Sequence, residues 1–144
     1  MKTLILLFLL SVAMLLTSFG QVKSEDAKHI QGTWALVKAE LGGQLMKDDV
    51  WTKITLKLNS GKYELTAENT DKGTYTIDPS AKPKTLDITG TEGPNVGKTI
   101  PAIYELDGDT LRVCYGLGGA PRPTEFKSPT GTKIFLATYK RKKG

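Results

Sequence analysis

The sequence holds one cysteine, Cys114, and one histidine, His29, and each scarcity removes a class of explanation. A single cysteine closes no disulfide within the chain. The fold must then be held by a hydrophobic core, which a chain of 144 residues is long enough to build. Cys114 is either buried and inert or paired between chains. There is no CxxC and no Cys/His cluster, and one histidine excludes a multi-histidine metal site and argues against structural zinc. No serine sits in a nucleophile elbow, and a Ser-His-Asp triad would have to recruit His29 from an N-terminal helical turn. No carboxylate pair stands out for glycoside hydrolysis, since Asp107 and Asp109 occupy a hairpin turn where aspartate serves the backbone. These residues indicate no catalytic site, no metal and no cofactor, and the chain reads as a non-enzyme.

A long apolar run occurs once. Lys2 precedes LILLFLLSVAMLLTSF, Leu4 to Phe19, with small residues at Ser18 and Gly20. A positive start, an apolar centre and a small-residue end make a secretory signal peptide. The run is shorter than the ~20 residues that span a bilayer, which favours a cleaved signal over a retained anchor. No cysteine near the cleavage region offers a lipid attachment point. The expected organisation is a signal peptide at 1–20, a segment with a short helix at 21–31, and a β domain at 32–144. The expected location is the periplasm or the cell exterior, with no stable membrane anchor after cleavage. The formal net charge is +5, and much of the excess sits in Lys140-Arg141-Lys142-Lys143. That tail reads as a solvated basic end free to lean on an anionic envelope surface, and nucleic acid is not expected as a partner.

The short helix is placed from Ser24, a good N-cap followed by Glu25 and Asp26, to about Ile30. Beyond it the apolar pattern changes to period two. Trp34 and Leu36 share a face, as do Ile54, Leu56 and Leu58, then Tyr63, Leu65 and Ala67. Asn59-Ser60-Gly61 is read as a turn, and so is Asp71-Lys72-Gly73, which leads into Tyr75 and Ile77 before Asp78-Pro79 stops the strand. Leu86 and Ile88 follow, then Ile100, Ala102, Tyr104 and Leu106. Asp107-Gly108-Asp109 forms a hairpin into Leu111, Val113 and Tyr115. Ile134–Tyr139 is apolar on both faces. Residues 37–51 are ambiguous: Gly42-Gly43 suggests a turn, and Lys47–Trp51 a helical turn or an edge segment. About eight strands joined by hairpins must close or stack, because open edges invite aggregation. The expected fold is an all-β, antiparallel up-and-down barrel, with a two-sheet sandwich as the alternative.

Gly32-Thr33-Trp34, after a short helix, is a Gly-x-Trp that resembles the opening signature of lipocalin-type (calycin) barrels. The resemblance implies that Gly32 and Trp34 lie at the closed end of the barrel, with Arg141 or Lys140 from the last strand over the indole. A guanidinium there contributes ~0.5–2 kcal/mol. HIQGTWALVKAE, GTYTIDPSAKPKTLDIT, GKTIPAIYELDGDTLRVCYG and PRPTEF together resemble a secreted-domain family best represented in planctomycete bacteria. The match covers nearly all of the chain after the signal. It departs at Ile30, where leucine is usual, and at Pro101-Ala102, where a glycine is common. The resemblance implies a lipocalin-like fold and brings no activity with it.

Two features bear on function. Tyr63, Tyr75, Tyr104 and Tyr115 fall on the inward alternation. They either line a pocket with Leu56, Leu65 and Val113, which would suit a small apolar or amphipathic ligand, or fill the core of a solid barrel. Cys114 faces the opposite side, and only Arg112 on that face would lower its pKa. The second feature is GLGGAPRPTEFKSPTGT, 116–132, which is long for a loop without a purpose. Gly116–Ala120 reads as a spacer. Pro121–Phe126 reads as a lid or clasp over a barrel end, with Thr124–Phe126 pairing briefly as a strand, Phe126 facing the core and Arg122 paired with Glu125. Gly93-Pro94-Asn95-Val96-Gly97-Lys98-Thr99 imitates a phosphate loop but has one residue too few between its glycines and leads into a strand. Two functions remain: a module that binds a small hydrophobic ligand inside the barrel, or an interaction protein that meets an envelope protein or glycan through the loop and the basic tail.

Overall fold

The computed structural model describes residues 25–143. The signal peptide expected at 1–20 and the Ser24 cap lie outside them. Residues 25–29 form a helical turn, and Ile30, which follows, is fully buried. Nine strands come next: β1 (Gly32–Leu41), β2 (Gln44–Leu45), β3 (Thr55–Asn59), β4 (Lys62–Thr66), β5 (Thr70–Asp78), β6 (Thr85–Glu92), β7 (Thr99–Asp107), β8 (Thr110–Gly116) and β9 (Ile134–Arg141). A four-residue helix, Asp48–Trp51, lies between β2 and β3.

Each strand from β3 to β9 pairs antiparallel with its neighbour in sequence, and β1 pairs with both β3 and β9. The sheet therefore closes on itself. It is an eight-stranded, lipocalin-like up-and-down barrel, not a two-sheet sandwich, and β2 is an extra strand hooked onto the end of β1. Strand β1 serves two neighbours by bending. Gly32–Ala35 face β3, Trp34–Leu41 face β9, and a register shift between Leu36 and Lys38 marks the bend.

The inward alternation builds one core inside the barrel, from Trp34, Leu36, Leu56, Leu58, Tyr63, Tyr75, Leu86, Ile88, Tyr104, Leu111, Val113, Tyr115 and Tyr139 among others. A smaller core of Ile103, Cys114 and Ile134, with Phe126 and Leu136 against it, lies on the outer face. That second core explains why β9 reads as apolar on both sides.

One turn expected from the sequence is a strand. Asp71-Lys72-Gly73 lies within β5, and the bend falls at residues 67–69. Asp71 is buried on the inward face, and Gly73 meets β6 so closely that an added Cβ would lie 1.9 Å from the Thr89 carbonyl oxygen. Glycine here serves a close strand approach at a register shift, which imitates a turn signal in sequence.

The ends of the barrel differ. At one end the short connections 60–61, 79–84 and 108–109 gather with the N-terminal helical turn. Trp34 is fully buried there, and its indole N–H donates to the Ile30 carbonyl at 2.9 Å. The Arg141 guanidinium stands 4.3 Å from the Trp34 ring centre. It also donates to the carbonyls of Gln31 (2.7 Å) and His29 and to Asp109 (3.1 Å). Gly32, at φ 140°, leaves the space this side chain needs, since a Cβ there would lie 2.7 Å from Arg141 Nη1. Of the two basic residues expected over Trp34, it is Arg141 that takes the place. The other end carries the longer connections 42–54, 67–69, 93–98 and 117–133, and there the barrel is open.

Candidate functional site

Inside the open end is a cavity of about 670 Å³. Its wall is mainly apolar: Leu36, Ile54, Leu56, Leu65, Ile88, Ile100, Leu117 and Phe135. The volume falls within the range usual for small-molecule sites, ~300–1,000 Å³.

Two polar points interrupt that wall. In the first, the hydroxyls of Tyr115 and Tyr139 lie 3.0 Å apart, both buried. Tyr115 pairs with Phe135 across β8 and β9, and Tyr139 with Leu111; Val113 and the small Ala137 lie between, so the two rings lean toward one another. Burial raises the pKa of both phenols, Tyr115 well above the usual tyrosine value and Tyr139 to about 12. Both are neutral donors and acceptors at physiological pH.

The second point is Asp71. It accepts from the Tyr63 hydroxyl at 3.1 Å and from the Asn95 side-chain amide at 2.7 Å, with the Asn95 backbone N–H at 3.4 Å. Burial and the neighbouring Asp71 charge keep the Tyr63 phenol protonated far above its ordinary range. Asn95 comes from the β6–β7 connection, the glycine-rich segment that imitates a phosphate loop. Here it joins two strands, and Lys98 at its end reaches the mouth of the cavity.

Of the seven pocket residues expected from the sequence, Leu56, Tyr63, Leu65 and Tyr115 stand in the cavity wall. Tyr75, Tyr104 and Val113 do not line it. Val113 is fully buried in the packed core, Tyr75 is buried outside the wall, and Tyr104 is drawn to the closed end. There the Tyr104 hydroxyl donates to Asp26 at 2.7 Å, and Lys84 pairs with the same carboxylate at 2.9 Å. Burial works against the Asp26 charge, yet the bonds from Tyr104 and Lys84, with the charge of Lys84, hold its carboxyl below the ordinary aspartate value. The tyrosines thus divide between pocket and packed core.

Sequence reading missed Asp71 and Asn95, which resemble turn residues, and Tyr139. Tyr139 was traceable in principle: it follows Phe135 and Ala137 at period two, but the apolar outer face of β9 hides which set points inward.

The 117–133 loop reverses its expected layout. Leu117, Gly118 and Gly119, read as spacer, line the mouth of the cavity. Pro121–Phe126, read as a lid, instead runs down the outside of the wall. Arg122 donates to the carbonyls of Ala102 (2.7 Å) and Leu86 (3.3 Å) and pairs with Asp87 at 2.6 Å, so it does not pair with Glu125. Glu125 instead stands 3.9 Å from Lys127. Residues 124–126 form a bend and not a strand. Phe126 packs on the outer core beneath Arg112, whose guanidinium is 4.6 Å from its ring centre, and so does not enter the barrel. The reason is the outer face of β7–β9. Ile103, Cys114 and Ile134 there need cover, and PRPTEF supplies it. Cys114 is fully buried under the strap, with its thiol toward the Lys127 carbonyl at 3.5 Å, and burial raises its pKa.

No family model, curated protein or solved structure matches the chain significantly. A reading of function therefore rests on the residues of the barrel.

Proposed function

We propose that the protein is an exported binding module that holds a small apolar or amphipathic molecule inside its barrel. The observation that carries this reading is the cavity of about 670 Å³ at the open end, with an apolar wall and two clusters of buried polar groups. A few fixed polar groups in an apolar concavity are the usual composition of a small-ligand site. The alternative, contact with an envelope protein or glycan through the 116–132 loop, has less support because Arg122 and Phe126 are engaged with the barrel's own wall. The signal-like first residues support export.

The test is a titration with N-phenyl-1-naphthylamine, a neutral probe that fluoresces in apolar surroundings. Saturable binding of one probe per chain, reversed by long-chain aliphatic competitors, is expected. Fluorescence that rises linearly without saturation contradicts the reading.

A further inference from the structure

The two polar points of the cavity differ in charge and in what they offer a ligand. In the Tyr115–Tyr139 pair one hydroxyl donates to the other, and either oxygen fits the role of donor. The hydroxyl that accepts keeps its own proton, and no acceptor for it is present among the described residues. One neutral donor is therefore left over in a mainly apolar wall that includes Leu36 and Phe135, with the Tyr63 phenol near enough to act on Tyr115. Buried donors are costly to leave unmade, so this proton favours an oxygen acceptor.

Asp71 sets the opposite condition. It is 6% exposed and stands in the cavity wall. Its partners, Tyr63 and Asn95, are neutral, and among the described residues no cation lies within ion-pair distance of it. An uncompensated carboxylate in a low-dielectric wall repels a second one strongly. The single basic residue of the cavity lining, Lys98, is exposed at the mouth.

We infer that the cavity selects an uncharged, elongated apolar molecule whose hydroxyl or carbonyl oxygen enters first and bonds to the Tyr115–Tyr139 pair, and that it discriminates against fatty acids through Asp71. This deepens the binding reading above and rests on it. The ligand class is that of long-chain alcohols, aldehydes or ketones, or larger lipids that end in one neutral oxygen.

The experiment displaces bound N-phenyl-1-naphthylamine from the full exported chain with 1-dodecanol and with dodecanoate, at pH 8 and below the micellar range. The alcohol is expected to displace at a concentration at least about tenfold lower, because the carboxylate accepts the same hydrogen bond but is repelled by Asp71. The double variant Tyr115→Phe/Tyr139→Phe, which removes the donor that either single variant would leave free, should weaken dodecanol several-fold relative to the probe. Asp71→Asn should bring dodecanoate closer to dodecanol. The competing arrangement seats a carboxylate at the mouth beside Lys98. It would appear as dodecanoate displacing as well as dodecanol, with a loss in Lys98→Ala, and it overturns the inference. The wild-type comparison needs no variant to fold. If the probe never saturates, the binding reading itself fails; if it saturates and the acid matches the alcohol, only the selectivity fails.

Discussion

Arg122 and Asp87 form a 2.6 Å ion pair on the outside of the barrel wall, and this pair places the proline-rich segment as a strap on β6 and β7. An exposed pair alone contributes ~0–1 kcal/mol. Arg122 adds bonds to two carbonyls from the same guanidinium, and lysine cannot reproduce that fork. Arg122→Ala is expected to destabilise the protein by about 1–2 kcal/mol in urea melts. It should also raise the reaction rate of Cys114 with a thiol reagent by at least about tenfold, because the strap that buries the thiol opens locally. Arg122→Lys should restore little of either. An unchanged thiol rate in a folded Arg122→Ala variant would separate the strap from Cys114.

At the closed end, Arg141 combines a cation–π contact with Trp34 and bonds to the carbonyls of Gln31 and His29. Arg141→Met keeps much of the packing and loses the charge and the donors. Its expected cost is about 2–4 kcal/mol, read as a lower urea midpoint at unchanged slope. Gly32→Ala should give a comparable loss, because φ 140° and the Arg141 approach both oppose a Cβ.

Asp26 predicts an acid dependence. Its carboxyl lies below the ordinary value in the fold, so its contribution is present above the unfolded pKa of about 4 and is lost as pH falls through the lower folded value. The stability gap between wild type and Asp26→Asn should be full at neutral pH and shrink below about pH 4. A gap that is constant down to the acid transition would mean that Lys84 and Tyr104 do not act through the charge.

The buried tyrosine pair predicts an alkaline one. Tyr139 is pushed up to about 12, above the unfolded value of about 10, so the protonated pair stabilises the fold below pH 10 and that stability is lost as pH rises toward 12. Phenolate absorbance of Tyr115 and Tyr139 should therefore appear together with loss of near-ultraviolet dichroism. Tyr139→Phe should move this transition to higher pH. Ionisation of these tyrosines within an intact fold would contradict their burial.

The barrel was readable in the sequence because its strands alternate cleanly and its hairpin turns are chemically explicit, as at Asp107-Gly108-Asp109. The closure over Trp34 was expected from the resemblance of Gly32-Thr33-Trp34 to lipocalin-type barrels, which left Arg141 and Lys140 open, and Arg141 takes the place. The site was readable only in part. Tyr63 and Tyr104 show the same inward pattern, yet one reaches Asp71 in the cavity and the other Asp26 at the closed end, a choice made by residues distant in sequence. Asp71 and Gly73 look like a turn because burial with a partner and close strand approach use the same residue types as turns do. Phe126 went to the outer wall because Ile103 and Cys114 form an apolar patch there that no single strand reveals.

The binding reading stands or falls on whether the ligand occupies the space beside Leu65. Leu65→Trp fills part of that space from within β4, while Glu64→Trp puts the same side chain on the opposite face of the strand. Probe titration of both, with thermal melts alongside, separates interior from surface binding. Leu65→Trp should lose at least about tenfold in affinity without a lower melting temperature, and Glu64→Trp should bind as wild type. Wild-type affinity in a folded Leu65→Trp protein would place the bound molecule outside the barrel and contradict the cavity as the site.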